Sequence, residues 1–141
     1  MTAAAPAAHD DAVPDLPWTS FAGRAPDREY VVLLSYLPLR RLSSTPAFLL
    51  AVQRVRGQLA RSAGLVGYSL RARPLRREYW TLSVWESERA LLAFVRTEPH
   101  SGLMSSLRGR MGATSFVRWR LAGADPVPTW DDAMRRASTA G

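Results

Sequence analysis

Cysteine and lysine are both absent from the 141-residue chain, and histidine occurs only as His9 and His100. The absence of cysteine excludes disulfides, thiolate zinc sites, iron–sulfur clusters and a cysteine nucleophile. The absence of lysine excludes a Schiff-base lysine and the lysine of a phosphate-binding loop. Two histidines are too few for a His-rich metal site within one chain, so the sequence predicts no metal site.

Long hydrophobic runs are also missing. No stretch of about 18 consecutive apolar residues occurs, so a transmembrane helix is not predicted. Residues 1–17 contain almost no large apolar side chain and are predicted to form a flexible tail. This segment lacks the basic start and the Leu-rich stretch of a secretory signal. We therefore expect a cytoplasmic protein with no membrane partner.

Acidic residues are scarce in the body of the chain. Residues 29–122 carry 15 arginines against five glutamates, and they contain no aspartate. A Ser-His-Asp catalytic set is therefore not available there. The excess positive charge would attract acidic metabolites, lipid headgroups or nucleic acid. Alternatively, the scattered arginines form a solvated surface with no specific partner.

Hydrophobic periodicity predicts the order β-α-β-β-α-β, which is the ferredoxin-like α+β fold with an antiparallel sheet. Strands are expected at 29–37, 65–73, 78–85 and 114–121, with helices at 46–62, from Ser87 with an interruption at Pro99, and from Thr129. Thr45 before Pro46 is expected to cap the first helix, and Gly64 to follow its end.

The predicted organisation has one compact domain with appended ends. Residues 18–28 are expected to dock, residues 29–122 to form the ferredoxin-like domain, and residues 123–141 to form an extension with a short helix. In the third strand, Trp80, Leu82 and Val84 alternate with more polar positions. If both main helices lie on one face of the sheet, this second apolar face needs a partner. The sequence therefore predicts a homodimer.

Two stretches resemble the antibiotic biosynthesis monooxygenase family. They are YWTLSVWESERALLAFVRTEPH, with Trp85, Glu86 and Ser87 before an Ala-Leu-rich helix that ends at Pro99-His100, and GLVGYSLRA after the first helix. The resemblance covers about residues 29–122. It implies a dimeric α+β barrel and a role in secondary metabolism, in a family that includes oxygenases using no metal or flavin.

The same resemblance bears on haem. Haem-degrading relatives carry an Asn near the end of the first strand, a Trp in the second helix and an axial His on the following turn. This chain has Ser35, Phe94 and Met104 at those places, and His100 lies one helical turn before the ligand position. Haem is therefore disfavoured, and no cofactor is predicted.

Proton transfer is assigned to His100, since imidazole accepts and releases protons near neutral pH. Ser35 and Tyr68 complete the predicted catalytic set. The predicted substrate-binding residues are aromatic or flexible apolar side chains and one arginine: Tyr36, Trp80, Trp85, Phe94, Met104 and Arg71. The alternatives are that His100 caps a helix end, that the aromatics only pack, and that the arginines around the hairpin turn are solvated.

We therefore predict a small-molecule, monooxygenase-like enzyme that acts on a flat aromatic or polyketide-type metabolite by proton abstraction in an apolar pocket. One alternative is a non-catalytic ligand-binding or assembly module of the same fold. Another is a cyclase or isomerase that uses the same pocket. RNA-recognition modules share this element order, but strand 78–85 lacks their glycines and carries Glu78, so a nucleic-acid partner is not predicted.

Overall fold

The structure, a computed structural model, describes residues 18–140, and the predicted tail 1–17 lies outside the described residues. The elements are β1 Thr19–Ser20, β2 Glu29–Pro38, α1 Thr45–Leu59, β3 Leu65–Arg73, β4 Glu78–Trp85, α2 Glu88–Arg96, α3 His100–Leu107, β5 Ser115–Ala122 and α4 Trp130–Ala140. The strands form one antiparallel sheet in the order β1-β3-β4-β2-β5. The predicted ferredoxin-like α+β fold is confirmed. None of the helices within 18–140 has both the length and the apolar character that crossing a bilayer requires.

Local signals set most element ends. Ser87 caps α2, because its side chain accepts a hydrogen bond from the Ala90 amide at 3.1 Å. The predicted capping by Thr45 is wrong: α1 begins at Thr45, Ser44 occupies the N-cap position, and the Thr45 hydroxyl has no partner. The reason is a 3₁₀ turn, Leu42–Ser44, which runs directly into α1, so no extended residue stands before the helix.

Alternation along the strands divides the sheet into two faces. One, the packed face, carries the buried side chains of Tyr30, Val32, Leu34, Trp80, Leu82, Val84 and Leu121. The other, the cavity face, carries Val31, Leu33, Ser35, Tyr68, Thr81, Ser83 and Trp85. The alternation predicted for strand 78–85 therefore separates the two faces as expected.

The chain covers its own packed face with α4 and with Trp18. Ala133 of α4 is fully buried against the sheet, and Trp130 and Met134 pack beside it. The Trp130 indole also donates a hydrogen bond to Ser69 Oγ at 3.1 Å. This corrects the premise that the second face is bare. The homodimer stays a prediction, but it no longer rests on an uncovered sheet.

A β-bulge in β3 decides which face Tyr68 occupies. Leu65 pairs with Trp85 and Gly67 pairs with Val84, so the bulge inserts Val66 as an extra residue. After it, Tyr68 lies on the same face as Leu65 although the two are three residues apart. Gly67 is needed here for space, because a Cβ at this position would lie 2.6 Å from the Trp18 indole. The bulge therefore directs Tyr68 towards the helices.

Candidate functional site

A cavity of about 610 Å³ lies between the sheet and helices α1, α2 and α3. This volume is in the range of small-molecule binding sites. Its walls are mainly apolar and include Leu33, Phe48, Val52, Val55, Leu59, Leu70, Trp85, Leu91, Phe94, Val95, Leu103, Met104 and Met111. Apolar walls exclude water and strengthen any electrostatic interaction formed inside.

His100 begins α3 and lines this cavity. Its ring lies 4.9 Å from the Phe94 ring, measured between centroids, and its Nδ1 is 3.2 Å from the Val95 carbonyl oxygen. A carbonyl only accepts, so Nδ1 carries the proton and Nε2 is left as the proton acceptor. Burial lowers the pKa of His100 below its ordinary value of 6.5, although the Val95 contact opposes this. The imidazole is therefore neutral at pH 7.

Gln58 of α1 fixes the position of His100. Its amide group is buried and donates to the carbonyl oxygens of Phe94 at 3.0 Å and Thr97 at 3.1 Å. Its Oε1 accepts a hydrogen bond from the His100 backbone amide at 2.8 Å. The buried Gln58 side chain is thus hydrogen-bonded to the end of α2, to the link that follows it and to the first residue of α3.

Hydroxyl groups from three strands lie on the cavity floor. Ser35 of β2 stands opposite Thr81 of β4, and Ser83 of β4 stands opposite Tyr68 of β3. The Ser83 hydroxyl accepts a hydrogen bond from the Trp85 indole at 2.9 Å. This row supplies polar groups that can orient a ligand in an otherwise apolar space.

The charged side chains that line the cavity are all basic within residues 18–139. Arg56 of α1 donates from Nε to the Tyr68 hydroxyl oxygen at 3.1 Å. Arg118 of β5 pairs with Glu88 at 3.3 Å, and Arg108 follows α3. Among the described residues 18–139, no carboxylate lines the cavity. In the part of the chain that the structure describes, no three His, Asp or Glu side chains are grouped to hold a metal ion.

The cavity brings together most of the predicted site residues. His100, Tyr68, Ser35, Trp85, Phe94 and Met104 all line it. They come from β2, β3, β4, α2 and α3, so the fold joins residues that are far apart in the chain. The roles assigned to them stay predictions.

Three predicted substrate-binding residues lie on the packed face instead, and they do not line the cavity. Trp80 is buried there, and the guanidinium of Arg71 lies 5.0 Å from the Trp130 ring. Tyr36 donates from its hydroxyl to Glu78 at 2.7 Å, and burial together with this carboxylate raises its pKa to about 12. The physical reason is strand alternation. Tyr36 and Trp80 are next to Ser35 and Thr81 in their strands, so their side chains lie on the other face of the sheet.

The predicted site residues omitted several polar residues of the cavity, among them Arg56, Thr81, Ser83 and Arg108. A signal existed for Arg56, which lies on the apolar side of α1 with Val52, Val55 and Leu59 and not with the exposed Arg54. Thr81 and Ser83 lie on the same face of β4 as Trp85, since the three alternate along the strand. Placing the Trp85 face at the cavity would therefore have identified both as site residues.

The comparisons with known proteins concern family and fold. The sequence profile of the family named Domain of unknown function (DUF3291) matches residues 44–139, more than half of the chain. No curated protein matches the chain.

Among solved structures, one similar protein is from Lactobacillus acidophilus NCFM and is provisionally described as a monooxygenase. It shares 13% identity at a TM-score of 0.57, over 79% of this chain and 51% of that one. A second, from Fusobacterium nucleatum and described in the same way, shares 7% identity at a TM-score of 0.67, over 78% and 50%. The third is SnoaB, a cofactor-independent oxygenase from Streptomyces nogalater, with 17% identity at a TM-score of 0.53 over 71% and 98%.

These similarities show the fold. The resemblance to antibiotic biosynthesis monooxygenases inferred from the sequence is confirmed at that level, since another similar structure carries that family name. The chain spans about half the length of the Lactobacillus and Fusobacterium proteins. At such low identity the activity of a similar structure does not transfer with its fold.

Proposed function

The chain belongs to the DUF3291 family, and on that premise we propose that it is a monooxygenase-type enzyme acting on a flat aromatic or polyketide-type metabolite. One observation carries the proposal: a neutral histidine, held by Gln58 and Val95, lines an apolar cavity large enough for such a molecule. A filled interior would instead have favoured a module that only packs.

The proposed step begins with proton transfer. His100 Nε2 takes the proton of a phenol, and the resulting anion passes one electron to O₂. The radical pair joins at the ring carbon para to the oxygen, and His100 returns its proton to the peroxide. Loss of water then leaves a para-quinone, so that phenol and O₂ become quinone and water. The substrate supplies all the electrons, and no cofactor takes part.

The shape of the cavity supports a flat substrate. Trp85 and Phe94 line it with ring centroids 5.2 Å apart. The floor runs from Leu70 on β3 through Thr81 and Ser35 to Phe116 on β5. Three strand spacings of about 4.8 Å make this floor about 14 Å wide. A planar polycyclic ring can lie on it with its edges near the serine and threonine hydroxyls.

The comparisons support the chemistry only as a class. SnoaB is a cofactor-independent oxygenase with this fold, and the apolar cavity with one base suits a substrate that reacts with O₂ directly. A cyclase or isomerase would use the same base without consuming O₂. Oxygen uptake during turnover therefore distinguishes these reactions.

The test compares two histidine variants on a naphthol or anthrone that the wild-type protein oxidises. His100→Gln keeps hydrogen bonding but cannot take a proton near pH 7, so we expect turnover to fall by roughly 10²–10⁴-fold. His9→Gln, in the predicted tail, is the matched control and should retain full turnover. Full activity of folded His100→Gln would remove histidine from the mechanism.

We also propose that the protein forms a homodimer, as the family resemblance implies. The support in this chain is the edge strand β5, which has no partner on its outer side within residues 18–140 and exposes Phe116. Sedimentation at micromolar concentration should show about twice the monomer mass, whereas a clean monomer would contradict the dimer.

A further inference from the structure

Arg56 has an environment that is unusual among the arginines of this chain. It is half-buried beside an apolar cavity, and its Nε donates to the Tyr68 hydroxyl. Within residues 18–139 it forms no ion pair. By contrast, Arg118 and Arg120 pair with glutamates at the exposed edge of the sheet. Desolvating a guanidinium without a counter-charge is unfavourable, so an anionic partner would stabilise Arg56 at this position.

The donors at this end of the cavity converge. Since Arg56 uses Nε towards the Tyr68 oxygen, its two terminal nitrogens remain available. The Tyr68 oxygen accepts that bond, so its own hydrogen is available to a second acceptor. Both residues line the cavity, and no carboxylate from the part of the chain that the structure describes lines it to compete for these donors. Converging donors without a protein acceptor are what a carboxylate, sulfonate or phenolate requires.

From this arrangement we propose that the ligand is an amphipathic anion, with an apolar aromatic body in the cavity and a negatively charged group on Arg56 and Tyr68. The inference rests on the proposed small-molecule function and specifies the substrate class of that site. It also assigns the anion contact to Arg56 of α1 and not to Arg71, the one arginine that the sequence assigned to substrate binding.

The experiment uses two dyes with the same aromatic body, anilinonaphthalene sulfonate, which is anionic, and N-phenylnaphthylamine, which is uncharged. Dissociation constants are measured by fluorescence titration on the full-length protein. The variant is Arg56→Gln, and the matched control is Arg54→Gln, which removes the same charge from the exposed side of the same helix. Arg56→Lys tests whether charge alone restores binding, and thermal melts confirm that each variant is folded.

We expect Arg56→Gln to raise the dissociation constant of the sulfonate dye about tenfold or more, since a charge-assisted hydrogen bond is lost. The dissociation constant of the uncharged dye should change by less than about twofold. Arg54→Gln should affect neither dye, and Arg56→Lys should recover part of the preference for the anion. If Arg56→Gln weakens the binding of both dyes equally, or of neither, the inference is wrong, although binding of the dyes would still support the cavity as a ligand site. Failure of the wild-type protein to bind either dye would contradict the proposed function as well.

Discussion

The two faces of the sheet are built from the same strands, yet one is filled and the other is hollow. On the packed face, Val32, Leu82 and Val84 are almost completely buried under α4, and Ala133 has no exposed surface. On the cavity face, the side chains of Leu33, Ser35 and Thr81 line a space of about 610 Å³. Adjacent residues in one strand thus meet opposite environments.

The two faces of the sheet separate the stabilising core from the candidate site. Close packing stabilises the folded state through buried apolar area and dispersion contacts. A hollow interior gives up part of that stabilisation and leaves room for a ligand. The neutral histidine, the hydroxyl row and Arg56 all lie on the hollow face. The packed face therefore acts as scaffold and the cavity face as the candidate site.

The largest expected effect comes from a pair of neighbouring leucines in β2. Leu34→Ala on the packed face should lower the free energy of unfolding by about 2–5 kcal/mol, because the new cavity is enclosed by close packing. Leu33→Ala on the cavity face should cost no more than about 2 kcal/mol, because its neighbours already border open space. Urea denaturation of both variants measures the two values. Equal losses would show that the two faces are packed alike.

A smaller effect is expected when the side chain is enlarged instead. Ala133→Leu on α4 should destabilise the protein by about 1–3 kcal/mol, because the larger side chain would overpack the cluster in which Ala133 is fully buried. Ala51→Leu on α1 points towards the cavity and should cost less than about 1 kcal/mol or stabilise the protein. Thermal melts of the two variants give the comparison. A more severe loss for Ala51→Leu would contradict a hollow cavity face.

The smallest expected effect is the pH dependence that His100 contributes. Because burial lowers the pKa of His100 in the folded protein below 6.5, the unfolded chain binds this proton at higher pH than the folded chain does. The stability that depends on a neutral His100 is complete above about pH 6.5 and is lost as the pH falls through that value towards the lowered pKa.

The measurement is the free energy of unfolding of the wild-type protein and of His100→Gln, from about pH 8 to pH 5. Glutamine does not titrate, so the wild-type protein should lose stability relative to this variant as the pH falls. The carboxylates are common to both proteins and cancel in the difference. A difference that stays constant would place His100 in open solvent, and one that grows in favour of the wild-type protein on acidification would show a raised pKa; either result would contradict the burial of a neutral imidazole.

Local signals predicted much of this architecture. The regular alternation from Tyr79 to Trp85 and the capping residue Ser87 act over a few residues, so the strand β4 and the start of α2 follow from the sequence. His100 was identifiable as a candidate because no other histidine lies within residues 29–122. These features need no knowledge of tertiary packing.

Other features depend on tertiary contacts that periodicity does not record. The bulge at Val66 reverses the alternation of β3, and only the pairing with Val84 and Trp85 reveals it. The covering of Trp80 by α4 joins segments that are far apart in sequence, so the sequence suggested a bare face. Periodicity places Arg56 on the apolar side of α1, but its hydrogen bond to Tyr68 of β3 is a tertiary contact that periodicity does not predict.

Locating where an apolar ligand binds distinguishes the two faces most directly. Methyl chemical shifts are followed by NMR during a titration with N-phenylnaphthylamine. One titration reports on methyl groups of both faces. We expect the methyl groups of Leu33, Val55 and Met104 to shift with increasing dye, and those of Val32 and Val84 to stay unchanged. Shifts centred on Val32 and Val84, or the absence of saturable shifts on the cavity face, would contradict the assignment of the hollow face as the ligand site.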